Sequence, residues 1–358
     1  MRSEIRLFRP EDAPFVSRLM QLCLERGETL YRPWMPDLVQ TVLSGDGMTG
    51  WIASLEGNPC GIACTAEKTV FLPGETPENT PLFLTLLMVS PVMRLQGIGK
   101  QLLQVVVNHA RQMKKKHIVI SGDSPCHLTW LIPGTQGHDH NNAPGVWKEG
   151  PFCAWLTSHG FHVHGEEISL YLPLSSFRWN PELDVLKQKL EAEGILTGTW
   201  HPSMGRDFDG MCDRVGSEYW RHVLRTETDA WIRQAPNADP DLWPDGRKPA
   251  GPRPLLTAVR DGQIIGFTGP VDRQESGRGW FTGICVDPLF EKRGIATLLF
   301  HLLLRAFQEK DALFCSIFTG AENHAQRIYL RAGFRVTSHW QILVLPLEPS
   351  EEYHHIYY

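Results

Sequence analysis

Apolar positions along this chain fall into short runs, and the order of the runs repeats. Glu4 to Leu7 alternates polar and apolar residues, as a half-buried strand does. Arg9-Pro10-Glu11-Asp12 opens a helix, because Pro10 presets the first turn and the acids complement the helix dipole. Phe15, Leu19 and Leu22 fall on one face of it. Trp51 to Leu55 and Cys60 to Thr65 read as a hairpin turned at Glu56-Gly57-Asn58. Leu82 to Val89 is a third strand, ended by Ser90-Pro91. The turn Arg94-Leu95-Gln96-Gly97-Ile98-Gly99-Lys100 leads into a helix carrying Leu102, Leu103, Val106, Val107 and Ala110. His117 to Ser121 is a strand, Phe152 to Ser158 a short helix closed by Gly160-Phe161, and Ile168 to Leu172 a closing strand. Residues 122–150 form a Pro/Gly-punctuated insertion of the length at which loops often carry function.

The second half opens with Asn180-Pro181-Glu182, a cap followed by Pro at the first helical position; the helix runs to about Glu193 and Gly194 stops it. Ile195 to Trp200 is a strand, and helices follow near Phe208–Val215 and Glu218–Glu227. A Pro-, Asp- and Gly-rich loop spans Ala235 to Pro254. The earlier order then returns. Leu255 to Val259 and Ile264 to Gly269 form a hairpin about Arg260-Asp261-Gly262-Gln263. Gly279 to Val286 is one long strand, and a Gly turn and a helix to Gln308 follow. Leu313 to Phe318 is a strand, Asn323 to Ala332 a helix capped at Gly333-Phe334, and Thr337 to Leu345 the last strand. Two copies of one order of elements make an internal duplication.

Length agrees, since 358 residues favour two domains over one core. A net charge of −5 argues against general nucleic-acid binding, and the longest apolar runs are too short to span a bilayer. The start, Met-Arg-Ser-Glu-Ile-Arg, has no apolar signal core, so a cytoplasmic protein is expected. The eight cysteines form no Cys-x-x-Cys pair and read as buried thiols. His138-Asp139-His140 lies in a loop with no second ligand group nearby, so no metal is expected.

Strand, basic Gly turn and helix together form a phosphate cradle: the helix start offers free N–H groups and a partial positive charge. Arg94-x-x-Gly97-x-Gly99 after one strand and Gly294-x-Ala296 after another place that cradle in both copies. With these turns, and with Asn323-x-Ala325-x-x-x-Tyr329-x-x-x-Gly333-Phe334, the sequence resembles the GNAT N-acetyltransferase superfamily in a tandem, two-copy form. The resemblance implies an α/β fold (α+β, mixed sheet) of two GNAT-like domains, each a twisted mixed sheet flanked by helices, over 1–176 and 177–358. It implies acetyl-CoA as cosubstrate, with its pyrophosphate on the Gly turns. The implied cofactor residues are Met88, Val89, Arg94, Gln96, Gly97, Gly99 and Lys100 in the first copy. In the second they are Ile284, Cys285, Val286, Lys292, Arg293, Gly294, Ile295, Ala296 and Thr297, with Asn323 on the pantetheine arm. Tyr329 is implied as the acid that protonates the departing thiolate.

The copies depart from that pattern in opposite ways. The first has Leu156 where the Tyr belongs and lacks the Asn; the second carries Glu291 where the family has Arg or Gln. The resemblance therefore implies a degenerate first copy and a catalytic second one, moving acetyl to a primary amine of a small molecule, an amino sugar among the candidates. The same residues leave open a peptide or protein acceptor, and a non-catalytic acyl-CoA sensor. No nucleic-acid or membrane partner is expected, and the state is a monomer or homodimer. Asp272, Glu275, Asp287 and His301 are the candidate bases, and Asp207, Asp209 and Asp213 could attract a cationic amine. Cys285, in an apolar strand, reads as structural rather than as an acyl carrier.

Overall fold

A computed structural model describes residues 4–71, 74–234 and 251–348. Most of the loop expected over Ala235 to Pro254 lies outside the described residues. In chain order the elements are β1 (Glu4–Leu7), α1 (Ala13–Glu25), α2 (Pro36–Leu43), β2 (Met48–Leu55), β3 (Asn58–Ala66), β4 (Leu82–Val89), α3 (Ile98–Gln112) and β5 (His117–Ile120). The short strands β6 (Trp130–Leu131), β7 (Asp139–His140) and β8 (Val146–Trp147) precede α4 (Pro151–Ser158) and β9 (His162–Pro173). Then come α5 (Glu182–Ala192), β10 (Leu196–Thr199), α6 (Asp209–Val215), α7 (Glu218–Arg233), β11 (Leu256–Arg260), β12 (Gln263–Gly269), β13 (Asp272–Arg273), β14 (Arg278–Trp280) and β15 (Gly283–Val286). The chain closes with α8 (Ile295–Glu309), β16 (Phe314–Gly320), α9 (Gln326–Arg331) and β17 (Arg335–Pro346).

The described chain divides into two compact units. One holds the residues up to Ile168 and those from Ser338 onward; the other holds Ser169–Thr337. The two long strands are thus shared. β9 gives its start to the first unit and its end to the second, and β17 does the reverse. The sequence alone suggests a cut at 176/177, in a simple head-to-tail order.

In the first unit the strands run β1–β2–β3–β4–β5–β17–β9. β1 to β4 are antiparallel neighbours, β5 lies parallel to β4, and β17 pairs antiparallel with β5 through Leu343↔Ile120. The α3 face carries Ile98, Leu102, Val106 and Ala110 onto Leu84, Leu87 and Val89 of β4. Leu102 is fully buried, and a leucine so placed contributes about 2 kcal/mol by leaving water. The second unit has one sheet ordered β10–β11–β12–β15 and another in which β14 stands between β16 and β13. α8 buries Leu298, Leu299, Phe300, Leu303, Leu304 and Phe307, a stripe wide enough to be core on most of its circumference.

Several expectations change. α1 buries Val16, Leu19, Met20 and Cys23, while Leu22 is exposed, so its inner face is rotated from the Phe15–Leu19–Leu22 line. α2 was not expected at all. The helix expected from Asn323 begins at Gln326. The strand expected over Gly279 to Val286 is broken into β14 and β15, which pair in different sheets. The insertion at 122–150 is closely packed: the Trp130 indole N–H donates to the Asn142 carbonyl at 3.0 Å, and the Trp130 ring stacks on His140. Asp139 pairs with Arg32.

Candidate functional site

The same local geometry occurs in both units. In the first, β4 and β5 pair only at Leu82↔Ile118 and Phe83↔Val119. Beyond Leu84 the edge of β4 that β5 leaves is open. In the second, β14 pairs with β16 at Arg278↔Phe314 and Gly279↔Cys315, and the chain then leaves β16 altogether to continue as β15 against β12. A splay of this kind frees a row of backbone N–H and C=O groups for an extended ligand.

At the end of the splay the two turns share one backbone shape. Each starts with a short 3-10 turn on a proline, Pro91–Met93 or Pro288–Phe290. Each then passes through two left-handed residues, Leu95 (φ 61°) and Gly97 (φ 80°) or Lys292 (φ 60°) and Gly294 (φ 86°). Gly97 and Gly294 cap α3 and α8, whose first N–H groups have no acceptor within the helix. Ile98 and Ile295 tuck inward at 2% and 1% exposure, which turns the helix starts the same way.

The side chains of the turns differ from the sequence expectation. Arg94 is not turned outward: its guanidinium holds the Glu28 carboxylate in two bonds of 2.9 and 2.6 Å and donates to the Val89 carbonyl at 3.1 Å. The Arg94 bond holds Glu28 below the usual carboxylate range. Arg293 is paired with Glu193 at 2.8 Å. Glu291, Lys292 and Lys100 are exposed, and Gln96 is exposed beside Met93. What the two turns have in common is therefore their amides, not their charged side chains.

In the second unit Tyr329 lies on α9, 7% exposed, with its ring 4.9 Å from Phe300 and 6.3 Å from Phe334. Burial, with Cys315 nearby, pushes its hydroxyl up to about 12. No hydrogen bond to that hydroxyl is made by the described residues. Cys315 is the residue paired with Gly279 where the splay begins, so the phenol stands beside the splay. Asn323 precedes the helix and its Oδ1 accepts from the Ala325 N–H at 2.9 Å, which fixes the side chain at the start of the helix. Cys285 is buried, and burial pushes its thiol up to about 12, which suits a structural thiol.

The candidate bases sort by geometry. Asp287 is fully buried and clamped: Arg214 donates two bonds to it and the Leu289 N–H a third. Burial pulls its carboxyl up, but these donors outweigh that and leave it low. It fixes the turn and does not present a base. His301 Nδ1 bonds the Thr297 carbonyl at 2.8 Å, and burial lowers its proton affinity. Glu275 is exposed, and Asp272 caps the Arg273 N–H at 2.8 Å. Asp209 and Asp213 are held by Arg221, and Asp207 accepts from Gln263, so each of these carboxylates already has a partner within the protein. Trp200 is fully buried, with its N–H on the Gly205 carbonyl, and Trp280 lies under Arg253: both are core.

Sequence reasoning named Trp220 only as one of four tryptophans, with Trp200, Trp231 and Trp280, whose faces could stack on a sugar or another flat group, and it missed the other two groups here. Trp220 of α7 covers β15 so closely that a Cβ on Gly283 would lie 2.4 Å from its ring. Glu227 and Arg253 form a buried ion pair, with the guanidinium 4.9 Å from the Trp280 ring. Thr282, at the break between β14 and β15, has a buried hydroxyl with no partner. None follows a spacing rule, because each depends on which residues the fold brings across from another element.

The first unit lacks the phenol. Leu156, fully buried, occupies that place in α4. Where the second unit has Ala325 just before α9 and Ile328 within it, α4 has Phe152 and Trp155, and the Trp155 ring is 3.3 Å from where a Cβ on Gly99 would be. Among the described residues no group of three or more potential metal ligands occurs in either unit, and no helix is long and apolar enough to cross a membrane.

Comparison with known proteins agrees with this geometry. The family model described as the acetyltransferase (GNAT) family matches residues 16–125 and 218–334, together more than half of the chain. A search of curated proteins by sequence returns no match. Among solved structures, the GCN5-related glucosamine N-acetyltransferase region of a fungal multi-domain GH3 β-N-acetylglucosaminidase superposes with a TM-score of 0.65 at 15% identity, over 96% of this chain and 38% of that one. A GCN5-related N-acetyltransferase from Sphaerobacter thermophilus gives 0.58 at 17% identity, over 98% of both chains. A tandem GNAT protein from the clavulanic acid biosynthesis pathway gives 0.57 at 17% identity, over 98% of this chain and all of that one (100%). At these identities the likeness is one of fold.

Proposed function

The chain belongs to the acetyltransferase (GNAT) family, and from that premise we propose that its second unit transfers acetyl from acetyl-CoA to a primary amine of a small molecule. The observation that carries this reading is Tyr329: a buried phenol whose hydroxyl has no hydrogen-bond partner among the described residues, raised by burial to about 12, beside the splay and in the unit whose turn carries the left-handed Gly294. A phenol in that state carries its proton at neutral pH and can donate it to a thiolate formed beside it.

In this reading the amides from Arg293 to Thr297 receive the pyrophosphate, and the free edge of Ile284, Cys285 and Val286 holds the pantetheine arm with Asn323. A backbone N–H near Cys285 or Val286 polarises the thioester carbonyl. The acceptor ammonium gives a proton to solvent, its nitrogen attacks the carbonyl carbon and the C–N bond forms; the nitrogen then gives a second proton to solvent as the C–S bond breaks. Tyr329 gives its proton to the leaving sulfur and regains one from solvent. The amides after Arg94 and Gln96, the edge of Met88 and Val89, and Gly97, Gly99 and Lys100 form a second cradle for CoA, without an acid beside it.

A thiol-release assay with acetyl-CoA and a panel of amino sugars, amino acids, polyamines and aminoglycosides tests the reading. Wild type is expected to release CoA with at least one of them, and Tyr329→Phe to lose about 100-fold in kcat. Equal turnover of the two enzymes on every accepted amine overturns the assignment of the acid. Absence of release with the whole panel and with N-terminal peptides overturns the function.

A further inference from the structure

Both units carry one feature that their charged turns and helices do not explain. Thr282 and Thr85 stand at the same place, equally far ahead of Gly294 and Gly97. Each lies where its strand changes pairing. Thr85 is skipped by the β3–β4 ladder, which runs from Cys64↔Leu86 to Thr65↔Leu84. Thr282 follows β14 and precedes β15, and its N–H is spent on the Gly269 carbonyl at 3.0 Å. The hydroxyl oxygen of each is buried and has no hydrogen-bond partner.

A buried hydroxyl left without a partner costs on the order of 1–3 kcal/mol. Val has nearly the same shape and would avoid that cost, so a hydroxyl at this point is understandable if something outside the protein completes it. In the second unit the surroundings say what. The free edge of β15 from Val286 back to Gly283 covers about 10 Å at strand rise, and it ends at Thr282. A ligand fixed at the Gly294 turn and extended along that edge brings its reactive end to this residue. Trp220 closes the space over the neighbouring Gly283, which keeps water away and strengthens any polar contact made there.

We propose that the Thr282 hydroxyl donates a hydrogen bond to the thioester carbonyl oxygen of the bound acyl-CoA, and so is a second oxyanion donor beside the β15 backbone. The inference rests on the function proposed above. In the reaction the carbonyl oxygen gains negative charge as the amine adds and loses it as the sulfur leaves; the Thr282 proton stays on its own oxygen throughout. A donor aimed at that developing charge acts mainly on kcat.

The test compares Thr282→Val and Thr282→Ser with wild type in steady-state thiol release, together with thermal melting of the CoA-free proteins. Thr282→Val is expected to lose about 100-fold in kcat with KM for acetyl-CoA within threefold, and to melt at the same temperature as wild type or higher, because an unsatisfied hydroxyl is gone. Thr282→Ser is expected to keep most of kcat. A Thr282→Val enzyme within twofold of wild-type kcat overturns the proposal. So does an equal loss in Val and Ser variants, or a loss that accompanies a lower melting temperature, either of which assigns the effect to packing. If wild type itself acetylates no amine, the acetyltransferase reading fails and takes this one with it; turnover in wild type with an unimpaired Val variant removes this one alone.

Discussion

At the scale of single residues, the second unit is organised by what its small side chains permit. Gly283 is not in a left-handed conformation; it is small because the Trp220 ring occupies the position of a side chain there. Trp220 is in turn held by Phe267, 5.6 Å away in an edge-on contact, and by Tyr219. Gly283→Ala pushes that ring off β15, at a cost of about 1–3 kcal/mol for overpacking. If the ring roofs the reacting end of the splay, the variant is expected to raise the acceptor KM at least tenfold while the CoA affinity, set at the turn, changes little. Steady-state kinetics on any accepted amine, with calorimetry for CoA, separates the two. Tyr329 was legible in the sequence because its spacing from Gly333 and Phe334 is carried by one short helix. Thr282 was not, and Trp220 was legible only as a possible stacking face, because the place of each comes from an approach between elements far apart in the chain.

At the scale of elements, the turns matter more than their charges suggest. The sequence points to Arg94 in the first turn and to the backbone amides from Arg293 to Thr297 in the second, and both guanidiniums are paired with carboxylates. The feature that repeats is a backbone path, fixed by residues outside the motif. In the second unit that fixing is done by Asp287, which ties Arg214 of α6 to the start of the turn. Its carboxyl is held below its ordinary value. A depressed carboxylate contributes stability that is fully present above the unfolded value, near pH 4, and is lost as pH falls through the folded one. Wild type is therefore expected to lose stability more steeply than Asp287→Asn as pH falls below about 4, read by melting temperature against pH. Arg214→Ala strands a buried carboxylate and costs on the order of 3 kcal/mol. The succession of strands and helices along the chain was readable from hydrophobic period. The break between β14 and β15 was not, since the one polar residue from Gly279 to Val286 is Thr282, a type common in strands, and the stretch gives no local sign of a change of partner.

At the scale of the molecule, the duplication that the sequence announces is real in its order of elements and misleading in its boundary. Counting elements from the start of the chain places the first copy's end just after Leu172, yet the first unit draws in the chain from Ser338. Its β5, buried along its length, has Leu343 to Pro346 as its antiparallel neighbour. A protein cut to residues 1–176 lacks that strand and exposes an apolar edge on His117–Ile120. It is expected to aggregate or to bind the dye ANS without a sharp melting transition. Addition of a peptide covering 335–348 is expected to restore one. A cooperative melt of 1–176 alone would remove this account of the strands.

The shared strands also set a timetable for synthesis. Residues up to Ile168 leave the ribosome well before Ser338 is made. At ordinary elongation speeds of about 5–20 residues per second, that interval is roughly ten to thirty seconds. Throughout it, the nascent first unit holds a place for a strand not yet translated, while the second unit is being spelled out behind it. A pause or a chain-terminating error late in the message thus damages the beginning of the protein as well as its end.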